Sequence, residues 1–237
     1  MLTLLKTTAA LLITCATAFG SAALAQTYNL AQDWSPTDNA NGSWSYLRGP
    51  TLLPYQPTTC CGLPVTTSFA PSHVSGSFLP VFWRPGTAGS DVFIHSYDPF
   101  NGGAFIGEAV LAWTAPSTGL ADISGHFYYG QLPQQRSNDI IIRSGTTILG
   151  SQTVSYQSFF DSSHPWNFSF SSVAVNAGDI ISLTFQRTAG FSSGSGVGGN
   201  VAISLVPEPM SALMLVTGIA AIVLVRNSDR HLARGGA

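Results

Sequence analysis

The sequence predicts an all-β fold, a two-sheet antiparallel sandwich of the jelly-roll kind. Apolar and polar residues alternate with period two along several segments, and no segment between residues 26 and 205 shows a sustained helical period. Turn clusters rich in Gly, Pro, Asn and Ser separate these segments. Only 8% of the 237 residues are charged and 11% are aromatic, which is typical of a folded β-rich domain and unlike a disordered chain.

Eight to ten strands are expected in a single domain over residues 26–205. The segments IISLTF and VAISLV each place alternate apolar residues on one face, and DVFIHSY, EAVLAW, ADISGHFYY and GSFLPVFW supply further strands. In WNFSFSSVAV the alternation slips by one residue after Phe170, which predicts a bulge. DIIIRSGTTILG predicts a hairpin turning at Ser144-Gly145, and VAVNAGDIISLTF predicts a turn at Gly178-Asp179.

Two segments resemble bacterial β-sandwich modules of the carbohydrate-binding, jelly-roll kind. They are AWTAPSTGLADISGHF and VAVNAGDIISLTF, and in each a strand ends, a Gly-containing turn reverses the chain, and a second strand leaves. The resemblance implies the fold. It implies no particular activity, because sandwiches host many.

The N-terminus is typical of a secretory signal peptide spanning residues 1–25. Lys6 precedes an apolar run, and Ala23-Leu24-Ala25 fits the small-x-small pattern of a cleavage site. We therefore expect export by the Sec machinery and cleavage between Ala25 and Gln26. A permanent N-terminal anchor is disfavoured because the run is short and interrupted by threonines, and a lipoprotein signal because threonine precedes the candidate cysteine.

Residues 206–237 form a tail of three parts. Val206-Pro207-Glu208-Pro209 is followed by the uncharged run 210–225 and then by basic residues, Arg226, Arg230 and Arg234. As a helix, the run would be about 24 Å long, slightly short of the ~30 Å hydrocarbon core of a membrane. The positive-inside rule places the arginine end in the cytoplasm, as the signal peptide also requires. A buried core helix, the alternative, explains neither the arginines nor the Pro-Glu-Pro.

This tail resembles the PEP-CTERM sorting signal of Gram-negative bacteria. The resemblance implies that Pro207, Glu208 and Pro209 are recognised by an exosortase, a membrane-embedded, cysteine-dependent processing enzyme. It also implies that residues 210–225 are a transient anchor in the inner membrane, that the basic end 226–237 stops transfer, and that the protein then reaches the cell envelope or an extracellular polysaccharide matrix. The stretch after the apolar run is longer than the usual few basic residues of the family.

Charge and cysteine content exclude some partners and leave others open. The formal net charge is −2 and Lys6 is the only lysine, so we expect no nucleic-acid partner.

The neighbours Cys60 and Cys61 are poorly placed for an ordinary disulfide. A strained vicinal disulfide, a link to another chain and two reduced thiols remain open. Only His73 lies near them as a further ligand, so no metal site is expected.

The sequence predicts no catalytic site and no cofactor. A glycosidase needs paired carboxylates, whereas the few acidic residues here fall mostly at turns. Neither a Gly-x-Ser-x-Gly elbow nor a phosphate loop occurs, and the histidines lack metal spacing. A lyase with Arg136 and Arg143 near His126 is a weaker alternative. A structural calcium ion at Asp98 and Asn101 is outweighed by the turn-forming role of both residues.

Aromatic residues are the remaining lead for ligand binding, because sugar rings stack on exposed aromatic faces. The candidate contacts are Trp44 and Tyr46, near the Gly42 turn, and the pair Tyr128 and Tyr129, of which only one can point inward. Packing in the core is the alternative at each position.

The predicted function is therefore that of a non-catalytic structural or carbohydrate-binding component of an exopolysaccharide or biofilm matrix. The alternatives are a hydrolase or lyase acting on polysaccharide and a protein-binding adhesin. Clustered carboxylates in a groove favour the enzyme, a flat aromatic platform favours binding, and an apolar patch without a groove favours the adhesin.

Overall fold

The computed structural model describes residues 24–57, 68–71, 79–85, 90–96, 108–131 and 134–208. The chain divides into two compact units, of which the unit Gln26–Leu205 contains the β-domain. In the described part of the chain, no helix is long and apolar enough to cross a membrane.

Some predictions from the sequence lie outside the described residues. They concern the signal peptide up to residue 23, the neighbouring cysteines, the candidate calcium loop, and the tail beyond Glu208 with its apolar run and arginines. The residues involved are Cys60, Cys61, His73, Asp98, Asn101, Pro209, Arg226, Arg230 and Arg234.

The described residues form fourteen β-strands and no helix, which confirms the predicted fold class. In chain order the strands are β1 (Gln26–Asn29), β2 (Trp44–Arg48), β3 (Thr51–Leu52), β4 (Tyr55–Gln56), β5 (Ser68–Phe69), β6 (Val81–Trp83), β7 (Val92–His95), β8 (Ala109–Thr114), β9 (Gly119–Tyr129), β10 (Ser137–Ser144), β11 (Thr147–Ser155), β12 (Trp166–Val175), β13 (Ile180–Arg187) and β14 (Gly196–Pro207).

Two antiparallel sheets make up the sandwich. The first sheet has eight strands in the order β12-β9-β14-β7-β6-β5-β4, with β1 paired to β14. The second has six strands in the order β11-β10-β13-β8-β2-β3. The described strands exceed the predicted eight to ten. Three of the additional strands, β3, β4 and β5, have only two residues each, and β1 has four, too few for a period-two pattern to be recognised.

The alternation predicted for the last strands is confirmed. In β14, Val201, Ile203 and Leu205 are at most 1% exposed, while the residues between them are half-buried. The apolar residues of β13 alternate in the same way. A strand buried on one face alone leaves this signature in the sequence.

The predicted bulge in β12 is also confirmed. The register of β12 against β9 shifts between Phe170 and Val173. Within the bulge, Ser172 adopts a φ of 56°, a conformation uncommon for residues other than glycine. The Asp122 carboxylate accepts the Ser172 N–H at 2.8 Å, and this bond fixes the irregular backbone to β9.

Two predicted turns occur where the sequence places them, one with a shift of a single residue. The β10–β11 hairpin turns at Gly145-Thr146, between the paired residues Ser144 and Thr147, and Gly145 has a φ of 56°. The turn from β12 to β13 contains Gly178, with a φ of 89°. Glycine adopts these angles without steric cost.

The main core lies between the two sheets and is rich in aromatic rings. Phe127 of the first sheet meets Phe185 of the second edge-on, with ring centroids 5.1 Å apart. Both side chains are fully buried. Each such burial stabilises the fold by roughly 1.5–3 kcal/mol relative to an exposed ring.

A second, smaller apolar cluster lies on the other face of the first sheet. It contains Ala70, Leu79, Val81 and Trp83, with Phe93 packed against it. Because the residue between Val81 and Trp83 belongs to the main core, this cluster is on the outer face. It is one end of the candidate site.

Candidate functional site

A row of rings crosses the outer face of the first sheet. Trp83 stacks on Phe93 with centroids 5.4 Å apart, and Phe93 meets Tyr128 edge-on at 6.1 Å. The Tyr128 ring is nearly parallel to the His126 imidazole, at 6.4 Å and 8°. These four residues, together with Asp91 beside His126, are called the outer strip below.

Strand alternation fixes the placement of the outer strip. In β9, Phe127 is fully buried between the sheets, so its neighbours His126 and Tyr128 point outward. The same holds in β7, where Phe93 lies between two fully buried residues. The strip is therefore built from the residues that the main core leaves on the outside.

Two glycines allow two of these rings to pack closely against the backbone. A Cβ atom on Gly198 of β14 would lie 2.5 Å from Cζ of Tyr128, and one on Gly130 would lie 2.9 Å from Cε1 of Phe93. Real Cβ atoms do not approach so closely. The two rings therefore rest on bare backbone, which only glycine permits.

Asp91 and His126 supply polar groups at one end of the outer strip. His126 Nε2 lies 3.1 Å from Asp91 Oδ2 and 3.2 Å from Oδ1. The side chains are 32% and 23% exposed, respectively, so the pair borders solvent rather than being sealed in the protein.

Asp91 also acts on Tyr128. Burial raises the pKa of Tyr128 to about 12, and the neighbouring Asp91 carboxylate, through its charge and a hydrogen bond, adds to the effect. The phenol is consequently protonated at neutral pH and keeps a hydroxyl that donates hydrogen bonds. Trp83 is only 7% exposed, so the accessible part of the outer strip combines the Phe93 ring with a carboxylate, an imidazole and a phenol. Such a surface can stack one face of a ring-shaped ligand and exchange hydrogen bonds with its hydroxyl groups.

The prediction that Trp44 or Tyr46 is an exposed ligand contact is wrong. Trp44 is 1% exposed and Tyr46 is fully buried. Both belong to β2, an interior strand of the second sheet between β8 and β3, and their side chains point into the main core. The Trp44 indole N–H donates to Asp33 Oδ2 at 3.1 Å.

Of the two neighbouring tyrosines, only one faces the core, as predicted. Tyr129 is 5% exposed and its hydroxyl donates to the backbone oxygen of Gln134, so it is not a ligand contact. Tyr128 is half-buried on the outer face. Of the four candidate aromatics, the structure therefore places only Tyr128 in the outer strip.

Sequence reasoning did not pick out Asp91, Trp83 or Phe93 as site residues. They lie on or next to short strands in which alternation is barely visible, and they reach Tyr128 only through the sheet order β9-β14-β7-β6. The only indication in the sequence was one outward-facing aromatic residue in each of the three strands. Whether these residues are adjacent depends on how distant strands pair, which the local sequence does not show.

Most of the described acidic residues outside the outer strip serve local structure. Asp161 is typical, since its carboxylate accepts the N–H groups of Ser163 and His164, and these bonds lower its pKa. Glu108, just before β8, is exposed. Five further carboxylates likewise accept a hydrogen bond from a backbone N–H or a side-chain hydroxyl: those of Asp33, Asp38, Asp122, Asp139 and Asp179.

The lyase arrangement considered from the sequence does not form. Arg143 hydrogen-bonds Thr184 of the second sheet, whereas His126 is in the first. Arg136 donates to the backbone oxygen of Gly194 at 3.2 Å and contacts His95. Within the residues that the structure describes, no group of three His, Cys, Asp or Glu side chains is placed to hold a metal ion.

A separate open cleft of about 490 Å³ lies where β1 and β2 begin. Its only carboxylate, that of Asp33, already accepts the Asn29 N–H and the indole N–H of Trp44 through Oδ2. Its lining residues are Gln26, Thr27, Tyr28, Asp33, Asn41, Gly42, Ser43, Trp44 and Pro116.

Comparison with known proteins gives a distant likeness of fold. No protein-family model matches the chain, and no curated protein matches it. Among solved structures, the K3 adhesin domain of Lys-gingipain from Porphyromonas gingivalis is similar at 13% identity and a TM-score of 0.35, covering 76% of this chain and 99% of that one.

Two carbohydrate-binding modules are similar at the same level. The C-terminal CBM6 of LamC from Zobellia galactanivorans shares 12% identity at a TM-score of 0.30, covering 68% of this chain and 98% of that one. CsCBM6-3 from Clostridium stercorarium, solved with cellobiose, shares 14% identity at 0.29, covering 70% and 94%. At these scores the likeness assigns no function to the chain.

Proposed function

We propose that the domain binds polysaccharide, without catalysis, through the outer strip. The observation that carries this proposal is the half-buried Tyr128 ring, packed against the backbone of Gly198, with the Asp91–His126 pair beside it. An aromatic face meets the apolar C–H groups of a sugar ring, while carboxylate, imidazole and phenol exchange hydrogen bonds with its hydroxyls.

The polar composition of the outer strip supports binding rather than hydrolysis. Glycoside hydrolysis needs two carboxyl groups on either side of the scissile bond. Among its five residues the strip has one, Asp91, and that carboxylate is hydrogen-bonded to His126. A platform of rings with a single carboxylate is the pattern expected of a binding surface.

Polysaccharide binding is tested by calorimetric titration of the purified full-length protein with a set of soluble polysaccharides. Tyr128→Ala is the test variant and Tyr55→Ala the matched control, because Tyr55 is also partly exposed but contacts Phe69 of the main core. We expect at least a tenfold loss of affinity in Tyr128→Ala and little change in the control. Equal thermal unfolding of the two variants excludes a general loss of fold.

The proposal is contradicted if no polysaccharide binds, or if binding is indifferent to Tyr128→Ala. Binding that instead depends on Asn41, tested as Asn41→Ala, would assign the ligand to the cleft at β1 and β2. Turnover of the polysaccharide during the titration would favour the enzyme alternative.

We further propose that the protein is exported by the Sec machinery, held in the inner membrane by its tail, and then processed by an exosortase for the envelope or matrix. The sequence pattern from Val206 to Arg234 supports this. The described residues of the motif are compatible with access by a processing enzyme, because β14 ends at Pro207 and Glu208 is exposed.

Sorting is tested in the native host by intact mass and cell fractionation. In the native protein we expect a chain that begins at Gln26, ends near the Pro-Glu-Pro motif, and is released from the membrane. Glu208→Ala should keep its full tail in the membrane fraction, whereas Glu108→Ala, which replaces the other glutamate of the chain, should behave like the native protein. A native chain that retains its arginines in the membrane would contradict the proposal.

A further inference from the structure

We infer that the polysaccharide bound by the outer strip is neutral rather than rich in uronic acid or sulfate. This inference rests on the proposed binding function and narrows the class of ligand. It follows from the charges that the described part of the protein places on the outer face of the first sheet.

Carboxylates are present on this face. Asp91 lies in the outer strip itself, 23% exposed. Asp122 is on the same side of β9 as His126 and Tyr128, because the three are separated by even numbers of residues, and it is exposed. Both are carboxylates, so an acidic polymer laid along the strip would meet groups of like charge.

Arginine and lysine normally recognise carboxylate and sulfate groups, and in the described ranges no arginine is directed at the strip. Lys6 is the only lysine of the chain and precedes the predicted cleavage site. Three of the five arginines in the described ranges lie on strands of the second sheet, namely Arg48, Arg143 and Arg187.

The other two arginines are engaged by the protein itself. Arg136 donates to the backbone oxygen of Gly194 and contacts His95 Nε2. Arg84 follows the last residue of β6, and its Nε donates to the backbone oxygen of Ser90 at 3.1 Å. Among the described residues, the ionisable groups of the outer strip and its surroundings that face a ligand are thus the carboxylates of Asp91 and Asp122, the imidazole of His126 and the phenol of Tyr128.

Flat rings and hydroxyl-binding groups without a directed cation suit a neutral glycan. Desolvating an anionic sugar beside Asp91 would cost free energy that no arginine offsets. A neutral sugar pays no such cost and still gains ring stacking and hydrogen bonds.

The test is a calorimetric titration of the full-length protein at low ionic strength, where repulsion between charges is strongest. The probes are laminarin, galactomannan and hydroxyethylcellulose as neutral polymers, and alginate, polygalacturonate and chondroitin sulfate as acidic ones. We expect Tyr128-dependent binding of at least one neutral polymer, and at least tenfold weaker binding of every acidic one.

The variant Asp122→Asn removes one carboxylate of the face without touching the outer strip. It should leave the affinity for the neutral polymer unchanged. The affinity for the acidic polymers should rise, so that the difference in affinity between the two classes becomes smaller. Tyr128-dependent binding of an acidic polymer in preference to the neutral ones would overturn this inference and leave the binding function standing. Binding of no polymer would overturn both.

Discussion

The Tyr128 ring of β9 covers the backbone of Gly198 in the neighbouring strand β14, so closely that a methyl group on Gly198 would lie 2.5 Å from Tyr128 Cζ. A residue without a side chain thus sets the height and tilt of the ring above the sheet. The orientation of the proposed binding surface depends on this pair, and it can be disturbed from the glycine side without altering any group that contacts a ligand.

Substituting Gly198 should weaken binding by displacing Tyr128. Gly198→Ala forces the ring off the sheet, and we expect a loss of polysaccharide affinity of about tenfold, equal to about 1.4 kcal/mol. The matched control is Gly196→Ala on the same strand, where the added methyl group would meet Gln131 and His95 at ordinary distances of 3.6–3.8 Å. Calorimetric titration of both variants checks this. Equal affinities in the two variants would contradict the proposed role of the pair.

Removing the hydroxyl of Tyr46 should not destabilise the protein. This hydroxyl is buried and has no hydrogen-bond partner among the described residues, and a buried unpaired polar group costs free energy. We expect the free energy of unfolding of Tyr46→Phe to be unchanged or raised by up to about 1 kcal/mol. Tyr129→Phe is the comparison, because its hydroxyl donates to Gln134, and it should lose about 1 kcal/mol. Urea unfolding measures the stability of both variants. A larger loss of stability in Tyr46→Phe than in Tyr129→Phe would contradict the conclusion that the Tyr46 hydroxyl is unpaired.

Tyr128 should make stability fall at alkaline pH. Its pKa is raised from 10.0 to about 12 in the folded protein, so the unfolded chain loses this proton first. The contribution of Tyr128 to the free energy of unfolding is complete below pH 10 and is lost as the pH rises toward about 12. Urea unfolding of the native protein and of Tyr128→Phe should show a stability difference that shrinks over this range. If the free energies of unfolding of the two proteins instead change in parallel with pH, the raised pKa of Tyr128 is contradicted.

The bulge in β12 should depend on one carboxylate. Asp122 accepts the N–H of Ser172, whose φ is 56°. Asp122→Ala leaves this N–H without its partner and should lower the free energy of unfolding by about 1 kcal/mol. Ser124→Ala, on the same exposed face of β9, serves as the control and should change stability by less than about 0.5 kcal/mol. A loss of equal size in both variants would argue against the bond.

The sequence predicted those features of the fold that single strands encode. From Val201 to Leu205 of β14, buried apolar residues alternate with half-buried ones, so the alternation is visible without knowledge of the neighbouring strands. The slip after Phe170 marked the bulge for the same reason. The two-residue strands escaped prediction because they are formed by their pairing partners rather than by a pattern of their own.

The candidate site was predictable only in part, because pairing between distant strands creates it. Tyr128 and Tyr129 were both candidates, because neighbouring strand residues face opposite ways and only one of the two could point inward; the local pattern did not show which. Trp83 and Phe93 reach Tyr128 through a sheet order that no local pattern specifies. The opposite error arose at Trp44, where a nearby glycine turn suggested exposure although β2 is an interior strand of its sheet.

The assignment of the outer strip as the binding surface predicts which histidine responds to the ligand. In a titration of histidine-labelled full-length protein with an oligosaccharide of the neutral polymer, observed by NMR, the His126 imidazole signals should shift because His126 lies in the outer strip. His164 is an internal control, since its side chain is 81% exposed and outside the strip, and its signals should stay in place. His126→Asn assigns the resonance. Saturating ligand that leaves His126 unchanged would contradict the assignment of the outer strip as the binding surface.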